Sequence, residues 1–205
     1  MMKRLILAGL ILGTAAQATA EVKSTNPVFL LHTPIAPALF QKLRIWDAKE
    51  DEWRATTASE KPVTNAAVVV VHLWADYCAP CREEFPLLRD LAKQIEAKYK
   101  DHVSFLYLCE TSSSTEVARF FTTNRTRMPT GPYYQDTGES IANVLRANIA
   151  GGQLSLPVTV LLDEKRIVRQ AIIGPITPHR GELAAGIAKL VQLADGSMAH
   201  GSTPR

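Results

Sequence analysis

Cysteine is scarce in this chain, three among 205 residues, which excludes a disulfide-dense scaffold of the kind small secreted domains use in place of a core. Glycine (11) and proline (12) are too few for a fibrous or low-complexity chain. No internal repeat is visible. Charge of one sign is missing too: the formal net charge is only +3, with no concentrated basic face to bind nucleic acid or an anionic membrane. Past the first twenty residues no segment approaches the roughly 18 apolar residues of a membrane span. What is present is an ordinary globular composition, 46% hydrophobic and 21% charged, at a length that fits one domain with a real core plus an extension.

The first twenty residues read as an export signal. Met1 to Arg4 form a short positive region, Leu5 to Leu12 with Ala15 and Ala16 an apolar stretch, and Ala18-Thr19-Ala20 a small-residue cleavage site. The competing reading, a membrane anchor, needs a longer apolar run. Cleavage would remove Lys3 and Arg4 and leave +1 of the +3, and the mature chain from Glu21 is expected to be exported and soluble. Export sharpens the cysteine count, because an oxidising compartment favours paired thiols and three cannot all pair within one chain.

Residues 21–65 are mixed, with Pro27, Pro34, Pro37 and Pro62, and read as an N-terminal extension with one strand near Lys42 to Trp46. Residues 66–194 then alternate strand and helix. Ala66 to Trp74 and Val103 to Cys109 are apolar runs of the kind buried on both faces. Pro80 to Tyr99 repeats apolar residues at intervals of three and four, an amphipathic helix that Pro86 should kink. Helices are predicted over Ser114 to Asn124, Glu139 to Asn148 and Gly181 to Leu193, and a short strand over Tyr133 to Gln135. Val158 to Asp163 and Ile167 to Ile173 read as an antiparallel hairpin turning at Glu164 to Arg166. Residues 195–205 are small and polar and are expected to be a mobile tail. The class is α/β, a mixed sheet with helices on both faces.

Cys78 and Cys81 stand between the first buried strand and its helix. A bridge so short constrains the unfolded chain little, so a structural staple is a poor explanation and chemistry or metal binding a better one. At a helix N-terminus the unpaired N–H groups and the macrodipole favour a thiolate. Cys78 is therefore the expected nucleophile and Cys81 the resolving thiol. Pro80 suits the first helical turn and holds the two sulfurs near each other.

The segment Val71-His72-Leu73-Trp74-Ala75-Asp76-Tyr77-Cys78-Ala79-Pro80-Cys81, with Pro86 beyond it, resembles the active-site segment of the thioredoxin superfamily. Leu156-Pro157-Val158-Thr159-Val160-Leu161-Leu162-Asp163 is similar to the cis-proline loop and following strand of the same superfamily. With the export signal and the extra strand and helix between Cys109 and Leu156, the chain resembles the TlpA-like and ResA-like branch, which includes cytochrome c maturation thioredoxins. The resemblance implies a thioredoxin fold with a strand-helix insertion before the cis-proline, and an exported thiol:disulfide oxidoreductase that reduces protein disulfides. It implies protein substrates, a thioredoxin-like membrane electron donor, and no cofactor beyond a redox-active Cys78–Cys81 disulfide. The chain is expected to act as a monomer. A substrate segment would lie along Leu156 and Pro157 in strand-like fashion, with Trp74, Tyr77 and Pro80 as an apolar rim.

Some members of that branch carry an acid just after the second core strand. Glu110 falls there, as a proton relay for Cys81 or as a cap for the helix after Ser112 to Ser114. The chain departs from the superfamily at three places. His72 stands where cytosolic thioredoxins have an aspartate, either as a proton acceptor or as a satisfied core histidine. Cys109 replaces a small residue and reads as a buried filler. Leu156 lacks the hydrogen-bonding side chain usual before the proline. The second functional reading is a disulfide oxidase or isomerase. The third is copper or zinc binding, against which His32, His72, His102, His179 and His200 show no ligand spacing. The last is a non-catalytic binding module, which usually lacks one of the two cysteines.

Overall fold

The computed structural model describes residues 31–60, 66–111, 113–136, 138, 140–149 and 154–201; the segment read as an export signal lies outside them. Chain order is α1 (Pro37–Phe40), β1 (Arg44–Asp47), β2 (Glu52–Ala55), β3 (Val68–Trp74), α2 (Ala79–Tyr99), β4 (Val103–Cys109), α3 (Ser114–Asn124), β5 (Tyr133–Gln135), α4 (Ser140–Ala147), β6 (Val158–Leu162), β7 (Val168–Ile173) and α5 (Arg180–Gly201). Every residue of β3 and of β6 is buried, which is why these strands read as unbroken apolar runs. The sheet is mixed, in the order β2-β1-β5-β4-β3-β6-β7. β3 runs parallel to β4 and antiparallel to β6, and so carries the chain toward Cys78 from the interior of the sheet.

Two apolar clusters sandwich the sheet. One gathers Phe85, Leu88 and Ile95 of α2, Val117 and Phe120 of α3, and Leu183 and Ile187 of α5. The other gathers Phe40 of α1 with Ile141 and Leu145 of α4. Helices thus cover both faces, and β5 and α4 form the expected insertion before Pro157. The Leu156–Pro157 peptide bond is cis. Among the described residues no helix is long and apolar enough to cross a membrane.

Two expectations are revised. Residues 44–55, assigned to an extension, form a hairpin that pairs through β1 with β5 and widens the same sheet. Its second strand escaped notice because Glu52 and Arg54 flank a single apolar residue, yet Trp53 is buried and meets Trp46 edge to face at 5.1 Å. Helix α5 runs on to Gly201, through residues expected to be a tail; near that end Asp195 Oδ1 lies 3.4 Å from His102 Nδ1, just after α2. The N-cap position of α3 is held by Ser113, whose hydroxyl accepts the Glu116 N–H at 3.3 Å.

Candidate active site

Strand β3 ends at Trp74, and a turn through Asp76 and Tyr77 delivers Cys78 to the N-cap of α2. Cys78 is disulfide-bonded to Cys81, with Cα atoms 5.3 Å apart. The Cys81 N–H donates to Cys78 Sγ at 3.2 Å, so a first-turn donor already points at the sulfur where negative charge would develop. The two cysteines differ in access: Cys78 is 7% exposed and Cys81 fully covered. Tyr77 is 71% exposed beside them, and Pro80 is half-buried.

Trp74 is corrected as a rim residue. It is fully buried, packed against Phe85 at 5.4 Å, Phe120 at 5.2 Å and Tyr133 at 5.9 Å, so it supports the site from below and does not face a substrate. Leu73 pairs with Val158, so Pro157 falls level with Trp74, at the end of the sheet from which the cysteine turn departs. Leu156 is half-buried and Pro157 buried, its carbonyl accepting the Gly174 N–H at 2.8 Å.

Glu110 follows β4 at this same end, its N–H donating to the Trp74 carbonyl at 2.8 Å. Its neighbour Cys109 is a free, buried thiol that burial pushes up to about 12, with Asp76 and Glu110 adding to the effect. At neutral pH such a thiol is protonated and unreactive.

The acid that sequence reasoning missed is Glu84. It sits one helical turn after Cys81 and is 2% exposed. Its Oε2 accepts the Ile176 N–H at 2.7 Å, and its Oε1 lies 3.5 Å from His72 Nε2. Burial pushes the carboxyl up to about 7, the Ile176 N–H pulling the other way. Burial drives the His72 imidazole down to about 3, so near neutral pH the contact joins a neutral ring to a carboxyl and is not an ion pair. His72 Nδ1 lies 2.9 Å from Thr159 Oγ1. The signal for Glu84 was in the helix pattern: the buried positions of α2 are 81, 84, 85, 88, 91, 92 and 95, and one of them carries an acid.

A mixed sheet flanked by helices, with a Cys-x-x-Cys disulfide capping a central helix beside a cis-proline, defines a protein of thioredoxin type. Residues 41–171 match the AhpC/TSA family, and the chain belongs to that family. It is 28% identical over 117 residues to the thioredoxin-like protein YneN of Bacillus subtilis (strain 168), a match covering 56% of this chain and 61% of that protein. The chain therefore spans about three fifths of that relative's length. Among solved structures, a thioredoxin-related protein from Neisseria meningitidis serogroup B is 24% identical with a TM-score of 0.51, covering 75% of this chain and 98% of the other. The thioredoxin domain of a thiol-disulfide oxidoreductase from Bacteroides vulgatus is 15% identical with a TM-score of 0.51, covering 79% and 99%. These likenesses show the fold.

Among the described residues no three His, Cys, Asp or Glu side chains gather in a way that could hold a metal ion.

Proposed function

We propose that the protein is an exported thiol:disulfide oxidoreductase of the TlpA-like and ResA-like branch, reducing protein disulfides and recharged by a thioredoxin-like membrane electron donor. A role in cytochrome c maturation fits the same branch. The observation that carries the reading is the asymmetry of the pair: Cys78 reaches solvent and receives a helix N–H on its sulfur, while Cys81 is sealed beneath it.

In the reduced protein the Cys78 thiolate attacks a substrate disulfide held against Leu156 and Pro157, with Tyr77 and Pro80 as rim. One substrate sulfur leaves as thiolate and the other stays bonded to Cys78. Cys81 then passes its proton to Glu84 and attacks Cys78 Sγ. The second substrate sulfur leaves with the electron pair, and the Cys78–Cys81 disulfide forms. The substrate has gained two electrons, which the donor must return to the protein. A carboxyl near 7 is matched to taking and releasing a proton at neutral pH. Glu110, at the same end of the sheet, is the second candidate for this transfer.

The test is insulin-disulfide reduction with dithiothreitol. Cys78→Ser should abolish it, and unchanged activity would sink the reading. Cys81→Ser should trap a mixed disulfide visible by mass spectrometry. An alkaline shift of the exchange profile in Glu110→Gln would assign the relay to Glu110, and an unaltered profile would leave it to Glu84. The redox potential of the couple decides direction, since such folds run from about −270 mV for reductants to about −120 mV for oxidants.

A further inference from the structure

Strand β3 buries one imidazole among apolar neighbours, and a fully buried ring needs partners for both nitrogens. Nδ1 has one in the Thr159 hydroxyl at 2.9 Å. Nε2 faces Glu84 Oε1 at 3.5 Å, and neither of these two atoms has a hydrogen-bond partner among the described residues. Two such atoms facing each other on side chains that are almost fully buried, one helical turn from Cys81, are reconciled by a proton lying between them.

We propose that His72 is a positioning residue for Glu84: pinned by the Thr159 hydroxyl, it presents Nε2–H to the carboxylate and so sets where the acid sits and how readily it takes the Cys81 proton. The inference rests on the exchange reaction proposed above. In the resolving step the proton moves from Cys81 Sγ to the Glu84 carboxylate, the Cys78–Cys81 bond forms and the Cys78–substrate bond breaks. His72 keeps its own proton throughout. The groups facing the carboxyl are His72 from β3 and the Ile176 N–H from the segment after β7, and Cys81 lies one turn before Glu84 on α2. From α5, the apolar Leu183, Ile187, Leu190 and Val191 join the same cluster.

The arrangement explains why Thr159 sits second in an otherwise aliphatic β6: it lies directly across from His72 in the sheet. With the hydroxyl donating to Nδ1, the ring proton is confined to Nε2, the nitrogen that faces the acid.

The test is an infrared titration of the oxidised protein, the Glu84 carboxyl band being identified by its loss in Glu84→Gln. The wild-type midpoint is expected near 7. His72→Leu removes the donor and should move the midpoint alkaline by about one pH unit. His72→Gln, whose amide can donate, should restore most of it. Thr159→Val keeps shape, removes only the pin, and should move the midpoint the same way by less; it carries the test should His72→Leu fail to fold. The pH profile of exchange should move in parallel. An unmoved midpoint in Thr159→Val and in any folded His72→Leu overturns the proposal. A midpoint that moves in a protein whose exchange survives Cys78→Ser supports the pairing and overturns the oxidoreductase reading.

Discussion

Replacing Glu84 by glutamine should make the protein more stable, and only above a defined pH. The carboxyl goes from 4.5 in the unfolded chain to about 7 in the fold. Between those values the folded state holds a proton that the unfolded state has released, so stability falls as pH rises through this window and levels off above it. At about 1.4 kcal/mol per unit the total comes to about 3 kcal/mol, undiminished by solvent because the side chain is 2% exposed. Glutamine is neutral at every pH, nearly isosteric, and able to accept the Ile176 N–H through its amide oxygen. The expected difference between variant and wild type is thus near zero, or slightly negative, below pH 4.5, and grows to about 3 kcal/mol in the variant's favour by pH 8.5. His72 titrates oppositely, from 6.5 down to about 3, and flattens the wild-type curve where the two windows overlap. Comparing variant with wild type cancels that contribution. The assay is urea unfolding of both oxidised proteins at several pH values, or melting, where the alkaline gap should be about 6 to 12 °C. A difference that stays flat between pH 4 and pH 8.5 would refute the burial of an ionisable carboxyl one helical turn after Cys81.

Phe85→Ala should cost about 3 to 5 kcal/mol by urea unfolding, because the ring is fully buried and meets Trp74 and Phe120 edge to face; a loss below 1 kcal/mol would contradict that packing. Cys109 should resist iodoacetamide in the native reduced protein while Cys78 is alkylated, because its thiol is buried and pushed up to about 12. Native alkylation at Cys109, read by peptide mass spectrometry, would show that it is accessible.

The central elements were legible because burial on both faces writes itself into a sequence. The β3, β4 and β6 runs and the stripe of α2 leave few alternatives, and Cys78 at the strand–helix junction follows from them. The edges were harder. β2 is four residues long and alternates charge around one tryptophan, so its strand character comes from pairing with β1, through a turn in which Asp51 adopts φ +52°, more than from local preference. The end of α5 is poor in apolar residues, and no periodicity marks it. In the site, motif and chemistry identified the cysteines, whereas Glu84 resembles in sequence the solvated charges that surround it on α2. Its partners come from β3 and from the segment after β7, and local spacing does not reveal such distant company. Trp74 erred in the opposite direction: adjacency to the cysteines in sequence suggested a surface that the inward face of β3 does not provide.

The segment before β3 has a topological consequence. His32 and Ile35 bond to Val168 and Arg166 at the β7 edge, α1 crosses the face that holds α4, and Arg44 and Ile45 pair with Gln135 and Tyr134 near the opposite edge. One strap therefore closes both sides of the sheet, and its anchors lie about ninety to more than one hundred and thirty residues further along the chain. During synthesis the strap emerges well before either anchor, β5 appearing about ninety residues later and β7 later still. These long loops must close late, which makes them a slow, high-contact-order step, and until then both sheet margins stand open to other chains.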